Sequence, residues 1–194
     1  MQNSTSRNNM RLDRLRVAVI AADGFEETEL TEPLRALKEA GAEADVVSLK
    51  AGEIQGMRHH DKTISVKVDK TLDELKPEIY DAVVLPGGAL NADRLRLEPK
   101  LQQFLRSFDQ EGKPIAAICH APWELVSAGL VRGRKLTAYH TIRDDIQNAG
   151  GAFTDQEVVL DGNWVTSRQP SDLPAFNREM LKLFAHATVG AGRV

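Results

Sequence analysis

Cys119 is the only cysteine in the 194 residues, and it stands in Ala116-Ala117-Ile118-Cys119-His120-Ala121-Pro122. A short apolar run delivers it into a turn, and Pro122 then opens a helix. That arrangement has the geometry of a nucleophile elbow, without the Gly-x-Ser-x-Gly spelling. The sulfur is expected at the carboxyl edge of a sheet, beside a helix N-terminus. Free N–H groups and the macrodipole there favour an anion and lower a thiol's pKa. The competing reading is an inert core thiol, since cysteine is among the most buried residue types. His120 is adjacent and could serve as general base if the turn swings both side chains into one pocket. A histidine bonded to a neighbouring carbonyl is the plainer account.

Other strand ends carry further chemistry. Asp23-Gly24 supplies a turn, and Phe25-Glu26-Glu27-Thr28-Glu29-Leu30 follows as an acidic helix start. Acids in a first turn complement the helix dipole. One of them could instead face the thiol. To donate a hydrogen bond it would have to be protonated, with a pKa raised by burial. Pro86-Gly87-Gly88 allows close backbone approach, and its N–H groups could hold an oxyanion. A plain turn would look the same. Asp93 reads alone as a solvated acid or a helix cap. Tyr139 and His140 follow another strand and could line the same pocket. His59-His60 has no further ligands at metal spacing and reads as surface. Trp123 and Trp164 read as structural.

These residues need a frame, and the apolar pattern supplies one. Buried strands are expected at 15–22, 44–49, 82–85, 115–118 and 135–138. Helices are expected at 27–40, 99–111, 122–128 and 141–149, closed by Gly41, Gly112, Gly129 and Gly150. Residues 51–69 alternate at Ile64, Val66 and Val68 and read as a hairpin. Residues 157–160 and 164–167 flank Asp161-Gly162, a second hairpin signal. Ser171 or Asp172 is the expected cap of a last helix carrying Pro174 in its first turn. Strands alternating with helices imply an α/β fold: a mostly parallel sheet with helices on both faces and ligands at the carboxyl ends of the strands.

Composition narrows the classes. The formal charge is −3, with 25 basic and 28 acidic residues. That balance argues against an electrostatic nucleic-acid binder. No apolar run approaches the roughly 20 residues of a membrane span. One cysteine excludes an internal disulfide framework and a Cys-x-x-Cys zinc site. Residues 1–14 are polar, lack a secretory apolar stretch, and read as a disordered tail in which Met10 could be the true start. Residues 189–194 read as a second tail. A cytoplasmic location is expected. There is no Gly-x-Gly-x-x-Gly after the first strand and no P-loop, so no cofactor is expected.

Taken in order, GFEETEL at 24–30, VVLPGG at 83–88, AAICHAP at 116–122, GRKLTAY at 133–139 and DQEVVLDGNWVTSRQPSDLPAFNRE at 155–179 resemble the ThiJ/PfpI superfamily, and within it the PfpI branch of intracellular proteases and general stress proteins. The resemblance spans about residues 15 to 186 and implies one domain over 15–188. It implies a flavodoxin-like sandwich related to class I glutamine amidotransferases. The glutamine amidotransferase activity itself needs a late His-x-Glu, and His186 is followed by Ala187-Thr188.

For the site, the resemblance implies Cys119 as nucleophile, Glu29 as the acid bonded to its sulfur and His120 as partner. It also implies Asp93, supplied by the neighbouring subunit of a homodimer or higher homo-oligomer, as the group that orients His120. Gly88 and the residue after Cys119, supported by Gly87, would form the oxyanion site. Tyr139 matches a pocket tyrosine. Ala121 replaces a glycine common in relatives and would touch turn or substrate. The implied activity is stress protection on reactive dicarbonyls or glycation adducts, with small aldehydes suiting the pocket better than folded proteins. A PfpI-type peptidase and a redox-sensing thiol or holdase without turnover are the alternatives.

Overall fold

In the computed structural model the described residues are 11–190. In chain order they form β1 (Arg16–Ile20), β2 (Phe25–Glu26), α1 (Glu27–Glu39), β3 (Glu43–Ser48), β4 (Glu53–Arg58), β5 (Asp61–Lys67), β6 (Lys70–Thr71), β7 (Ala82–Leu85) and α2 (Ala89–Leu95). There follow α3 (Pro99–Gln110), β8 (Ile115–Ile118), α4 (Pro122–Ser127), β9 (Lys135–Leu136), α5 (Arg143–Asn148), β10 (Ala152–Phe153), β11 (Val158–Asp161), β12 (Trp164–Ser167) and α6 (Leu173–Gly190).

Seven strands make the main sheet in the order β11-β12-β8-β7-β1-β3-β6. All neighbours pair in parallel except the β11–β12 edge hairpin. The side-chain period of two sends alternate residues of β1 to opposite faces. Val17 and Val19 meet Leu30 and Leu37 of α1 and Phe176, Met180 and Phe184 of α6. Ala18 and Ile20 join Phe104 and Phe108 of α3, Leu125 of α4 and Ile146 of α5 on the other face. The result is the expected flavodoxin-like sandwich. Strand order reverses between β1 and β7, which opens a crevice at their carboxyl ends. Among the described residues no helix is long and apolar enough to cross a membrane.

Several local expectations shift. The expected tail over 1–14 falls mostly on residues outside those described, but Leu12 within it is only 1% exposed. Its N–H bonds Ala40 O at 2.7 Å, so the chain from Arg11 packs under the end of α1. At the other end α6 continues to Gly190, past the start of the expected second tail. The strand expected at 135–138 shortens to β9 and pairs with β10 in a separate ribbon, because Tyr139 N–H is drawn to Cys119 O at 2.8 Å. Asp172 does not cap α6. Its carboxylate is held by the Arg168 guanidinium at 2.8 and 3.2 Å. The helix α2 had no clear signal, being short and carrying exposed Leu90 next to buried Asn91.

One buried acid weakens this framework. Glu124 of α4 is 0% exposed, and neither carboxyl oxygen finds a hydrogen-bond partner among the described residues. Burial pushes its pKa well above the usual carboxylate range, so it folds as the neutral acid. The unfolded chain loses that proton near the ordinary value, and the cost of folding therefore grows as pH rises above it. Glu124→Leu should raise unfolding stability by about 1–3 kcal/mol at neutral pH. In chemical denaturation the gap should narrow as pH falls towards 4.5, the ordinary carboxylate value. A variant no more stable than the parent at any pH would contradict this.

Candidate functional site

Cys119 sits at the tip of β8 with φ +64, a left-handed conformation that ordinary residues avoid. Two backbone bonds hold the strained turn: Cys119 N–H to Ser167 O at 3.0 Å, and Tyr139 N–H to Cys119 O at 2.8 Å. Strand β12 and the segment after β9 thus clamp the elbow from two sides.

The turn after β7 closes over it. A Cβ on Gly87 would strike the Glu29 carboxylate and lie 2.5 Å from Cys119 Cβ and 2.8 Å from Ile118 O. A side chain at Gly88, whose φ is +99, would meet the backbone of Gly24, Phe25 and Glu26. Gly87→Ala should therefore displace both Glu29 and the sulfur. Expected is loss of most thiol-dependent activity, together with a changed rate of Cys119 alkylation. An unchanged alkylation rate would argue against so tight a packing.

Around the sulfur four groups converge. His120 Nδ1 lies 3.2 Å from Sγ. The backbone N–H groups of Gly88 and His120 face the sulfur and favour its anion. The Glu29 carboxyl, 0% exposed, packs beside it. Burial first, and then the nearby Glu26 charge, raise the Glu29 pKa to about 8. The thiol and the Gly87 amide act on this carboxyl in the opposite direction, but neither meets it in well-formed hydrogen-bond geometry.

The thiol corrects an expectation. Its pKa is pushed up, not down, by burial and then by Glu29. The following helix α4 has only six residues, and its dipole does not overcome 6% exposure. Thiol and carboxyl are coupled, and burial disfavours charge on both. Burial lowers the His120 pKa, and the His140 charge adds to this, so the imidazole is neutral and can accept a proton. On its other side Nε2 faces Thr141 Oγ1 at 3.3 Å, a hydroxyl that can donate or accept. The His120 ring stacks on Tyr139 at 4.8 Å and meets the edge of Trp123 at 5.7 Å.

These groups open into a cavity of about 890 Å³ lined by Glu26, Glu29, Gly88, Cys119, His120 and Tyr139, among others. Four expected residues lie outside its lining: Gly87, in the turn that closes over the thiol, and Asp93, His140 and Ala121. Asp93 is exposed on α2. His140 is exposed and tilts against Tyr139 at 4.4 Å. Ala121 is 0% exposed in the core beneath the elbow, with its N–H on Ile118 O at 3.1 Å and an ordinary φ of −56. Its methyl group therefore strains neither turn nor pocket.

Other residues gain a place at the site. His59 and His60 are exposed as expected, yet they also line the cavity, as do Met57, Arg58, Gln169, Pro170 and Ser171. Thr141 and Trp123 frame His120. Sequence separation hid all of these, because none carries a motif of its own. Among the described residues no group of three His, Cys, Asp or Glu is arranged to hold a metal ion.

Comparison with known proteins identifies the family. The model of the DJ-1/PfpI family matches residues 15–183. The chain is 47% identical over 169 residues to Deglycase PfpI of Pyrococcus furiosus, covering 87% of this chain and 99% of that one. It is 46% identical over 170 residues to Protein/nucleic acid deglycase 2 of Escherichia coli, covering 87% and 96%. Among solved structures, Drosophila melanogaster DJ-1beta superposes with a TM-score of 0.80 at 29% identity, covering 91% of this chain and 97% of that one. With the family model matching residues 15–183 and these relatives at 46% and 47% identity over 87% of its length, the chain belongs to the DJ-1/PfpI family.

Proposed function

We propose that this protein is a cysteine-dependent deglycase, releasing carriers from dicarbonyl adducts with Cys119 as nucleophile. The observation that carries the reading is the contact of Sγ with His120 Nδ1 at 3.2 Å, beneath two backbone N–H groups and at the floor of a cavity. The relatives named deglycases support the substrate class.

The carbon–carrier bond of the adduct breaks to give free carrier and the aldehyde end of the dicarbonyl, and Sγ attacks that aldehyde carbon as the thiol proton passes to neutral His120 Nδ1. The Gly88 and His120 N–H groups hold the developing oxyanion. Protonated Glu29 steadies the sulfur and keeps a second negative charge out of the site. His120 returns its proton to that oxygen, the hydrogen on the attacked carbon moves through an enediol to the neighbouring ketone carbon, and one water hydrolyses the resulting hydroxyacyl thioester to the hydroxy acid and free Cys119. Conversion of an aldehyde–ketone adduct to a hydroxy acid and free carrier moves hydrogen within the substrate and consumes one water. Thiol, imidazole and carboxyl are enough for it.

A homo-oligomer belongs to the same reading. Asp93 is exposed on α2 and free to approach the His120 of a second copy.

The test presents purified protein with the methylglyoxal adduct of N-acetylcysteine and, in parallel, an unstructured fluorescent peptide. Release of free thiol and hydroxy acid supports the deglycase. Peptide cleavage without adduct release would replace it with a peptidase. Turnover of neither, with a stable two-oxygen mass gain at Cys119 under mild peroxide, would replace it with a redox-sensing thiol.

A further inference from the structure

Three non-glycine residues have positive φ among those described, and two of them, Cys119 and His59, line the same cavity. The strain at Cys119 serves the elbow. The strain at His59 has no such account. His59 and His60 form the two-residue loop of the β4–β5 hairpin, between the paired residues Arg58 and Asp61. Glycine or asparagine suits such a loop better, because one or both positions demand positive φ. His59 adopts φ +56. Both histidines are exposed, so core packing does not ask for them either. Residue types that neither backbone nor packing prefers, at the mouth of a reactive cavity, point to a ligand.

The loop is also held in place. His59 N–H donates to Glu26 Oε2 at 3.1 Å, and Glu26 is 9% exposed and itself lines the cavity. Arg58 reaches Glu27 at 3.4 Å, a solvated pairing with the arginine side chain 64% exposed. Such a contact is weak enough to share with an incoming anion. The lining also holds Gln169 and Ser171, the Gln169 amide donating one N–H to Ser171 Oγ at 3.0 Å. The upper cavity thus presents one guanidinium, two imidazoles, an amide and a hydroxyl, all able to donate. The acids Glu26 and Glu27 are occupied by the loop itself, and Glu29 lies at the floor.

Size adds a second argument. A cavity of about 890 Å³ is far larger than a three-carbon dicarbonyl requires. It falls within the range that encloses drug-sized ligands. The part of the substrate filling the upper cavity is therefore the carrier.

We propose that Arg58-His59-His60 is the carrier-selecting wall of this cavity, favouring adducts whose carrier bears a phosphate or a carboxylate. The inference rests on the deglycase reading for turnover, and on binding it can be tested separately. Methylglyoxal adducts would be compared in pairs that differ by one anion: guanosine 5′-monophosphate against guanosine, and N-acetylcysteine against its amide. Wild type should favour the charged member about fivefold or more in kcat/KM, through KM. The first pair reads phosphate and the second carboxylate; a preference in either supports the wall and identifies its anion.

The variant is Arg58→Ala with His59→Gly and His60→Asn, which removes every cationic group of the wall, suits the turn and breaks only a solvated ion pair. In it both preferences should fall to within about twofold of unity. Equal use of all four adducts by wild type, or a preference surviving in the variant, would overturn the wall. Binding gives the independent arm, read as protection of Cys119 from iodoacetamide. Guanosine 5′-monophosphate should protect at lower concentration than guanosine in wild type and not in the variant. If no adduct turns over but this binding difference holds, the deglycase reading fails and the wall stands. Equal protection overturns the wall whatever the activity.

Discussion

Replacing Cys119 by serine should lower adduct turnover by about 10³-fold or more, to near background. A serine hydroxyl in the same place would need a far stronger base than the neutral His120 that lies 3.2 Å from the sulfur. The fold should survive. The turn is clamped by Cys119 N–H to Ser167 O and Tyr139 N–H to Cys119 O, bonds that involve no side chain at 119. Because the chain has one cysteine, alkylation provides a matching control. One equivalent of iodoacetamide per chain should abolish activity in wild type and add no mass to the variant. Turnover within about twofold of wild type in Cys119→Ser, where a lost nucleophile costs orders of magnitude, would exclude the thiol as nucleophile.

The second large effect concerns pH. The Glu29 pKa is raised to about 8, mainly by burial, so the site works with a protonated carboxyl. Activity should fall as pH rises through about 8, where this proton leaves and a charge appears beside the sulfur. On the acid side the His120 pKa lies below 6.5, because burial disfavours imidazolium. Activity should fall there only below that value. The profile is a bell whose alkaline limb belongs to Glu29 and whose acid limb belongs to His120. Glu29→Gln keeps the hydrogen-bond donor and should remove the alkaline limb near 8. Glu29→Ala should instead lower kcat by about 10²-fold or more.

Stability follows the same proton. A carboxyl whose folded pKa is raised contributes fully below its unfolded value and loses that contribution as pH rises through the folded one. Between 4.5 and about 8 the folded state should lose a few kcal/mol through Glu29, roughly 1.4 kcal/mol for each unit. Glu124 acts in the same direction, so denaturation of the two single variants Glu29→Gln and Glu124→Leu separates the contributions. An alkaline activity limb unmoved in Glu29→Gln would assign that limb to another group.

The layered architecture was legible because its causes are local. Four consecutive apolar residues at 17–20, 82–85 and 115–118, short and mostly followed by turn residues, read as strands buried on both faces. Helical spacing in 27–40 and 99–111 needs a sheet to cover, and glycines close each segment. Placing Cys119, Glu29 and Gly87-Gly88 at one edge follows from parallel strands alone, since all three segments leave carboxyl ends.

Side-chain encounters were not legible in the same way. Whether His120 faces its neighbour's sulfur depends on φ +64 at Cys119, which long-range bonds to Ser167 and Tyr139 impose. The direction of the thiol pKa depends on how much low-dielectric protein surrounds it. Helix position pointed the other way, and the sequence offered no measure of burial to weigh against it. Leu12 lies among polar neighbours in a segment that reads as a tail, and only the end of α1 explains its burial. His59 and His60 look like any exposed hairpin tip until β2 and β4 pair and bring that tip over the thiol.

The sequence by itself determined the element order, the parallel sheet and the chemistry available at its edge, because periodicity, turn residues and strand polarity act over a few residues. Only the tertiary structure decided which of those groups touch, how far their protons shift and what walls the cavity has, because contact, desolvation and enclosure are set by segments distant in the chain.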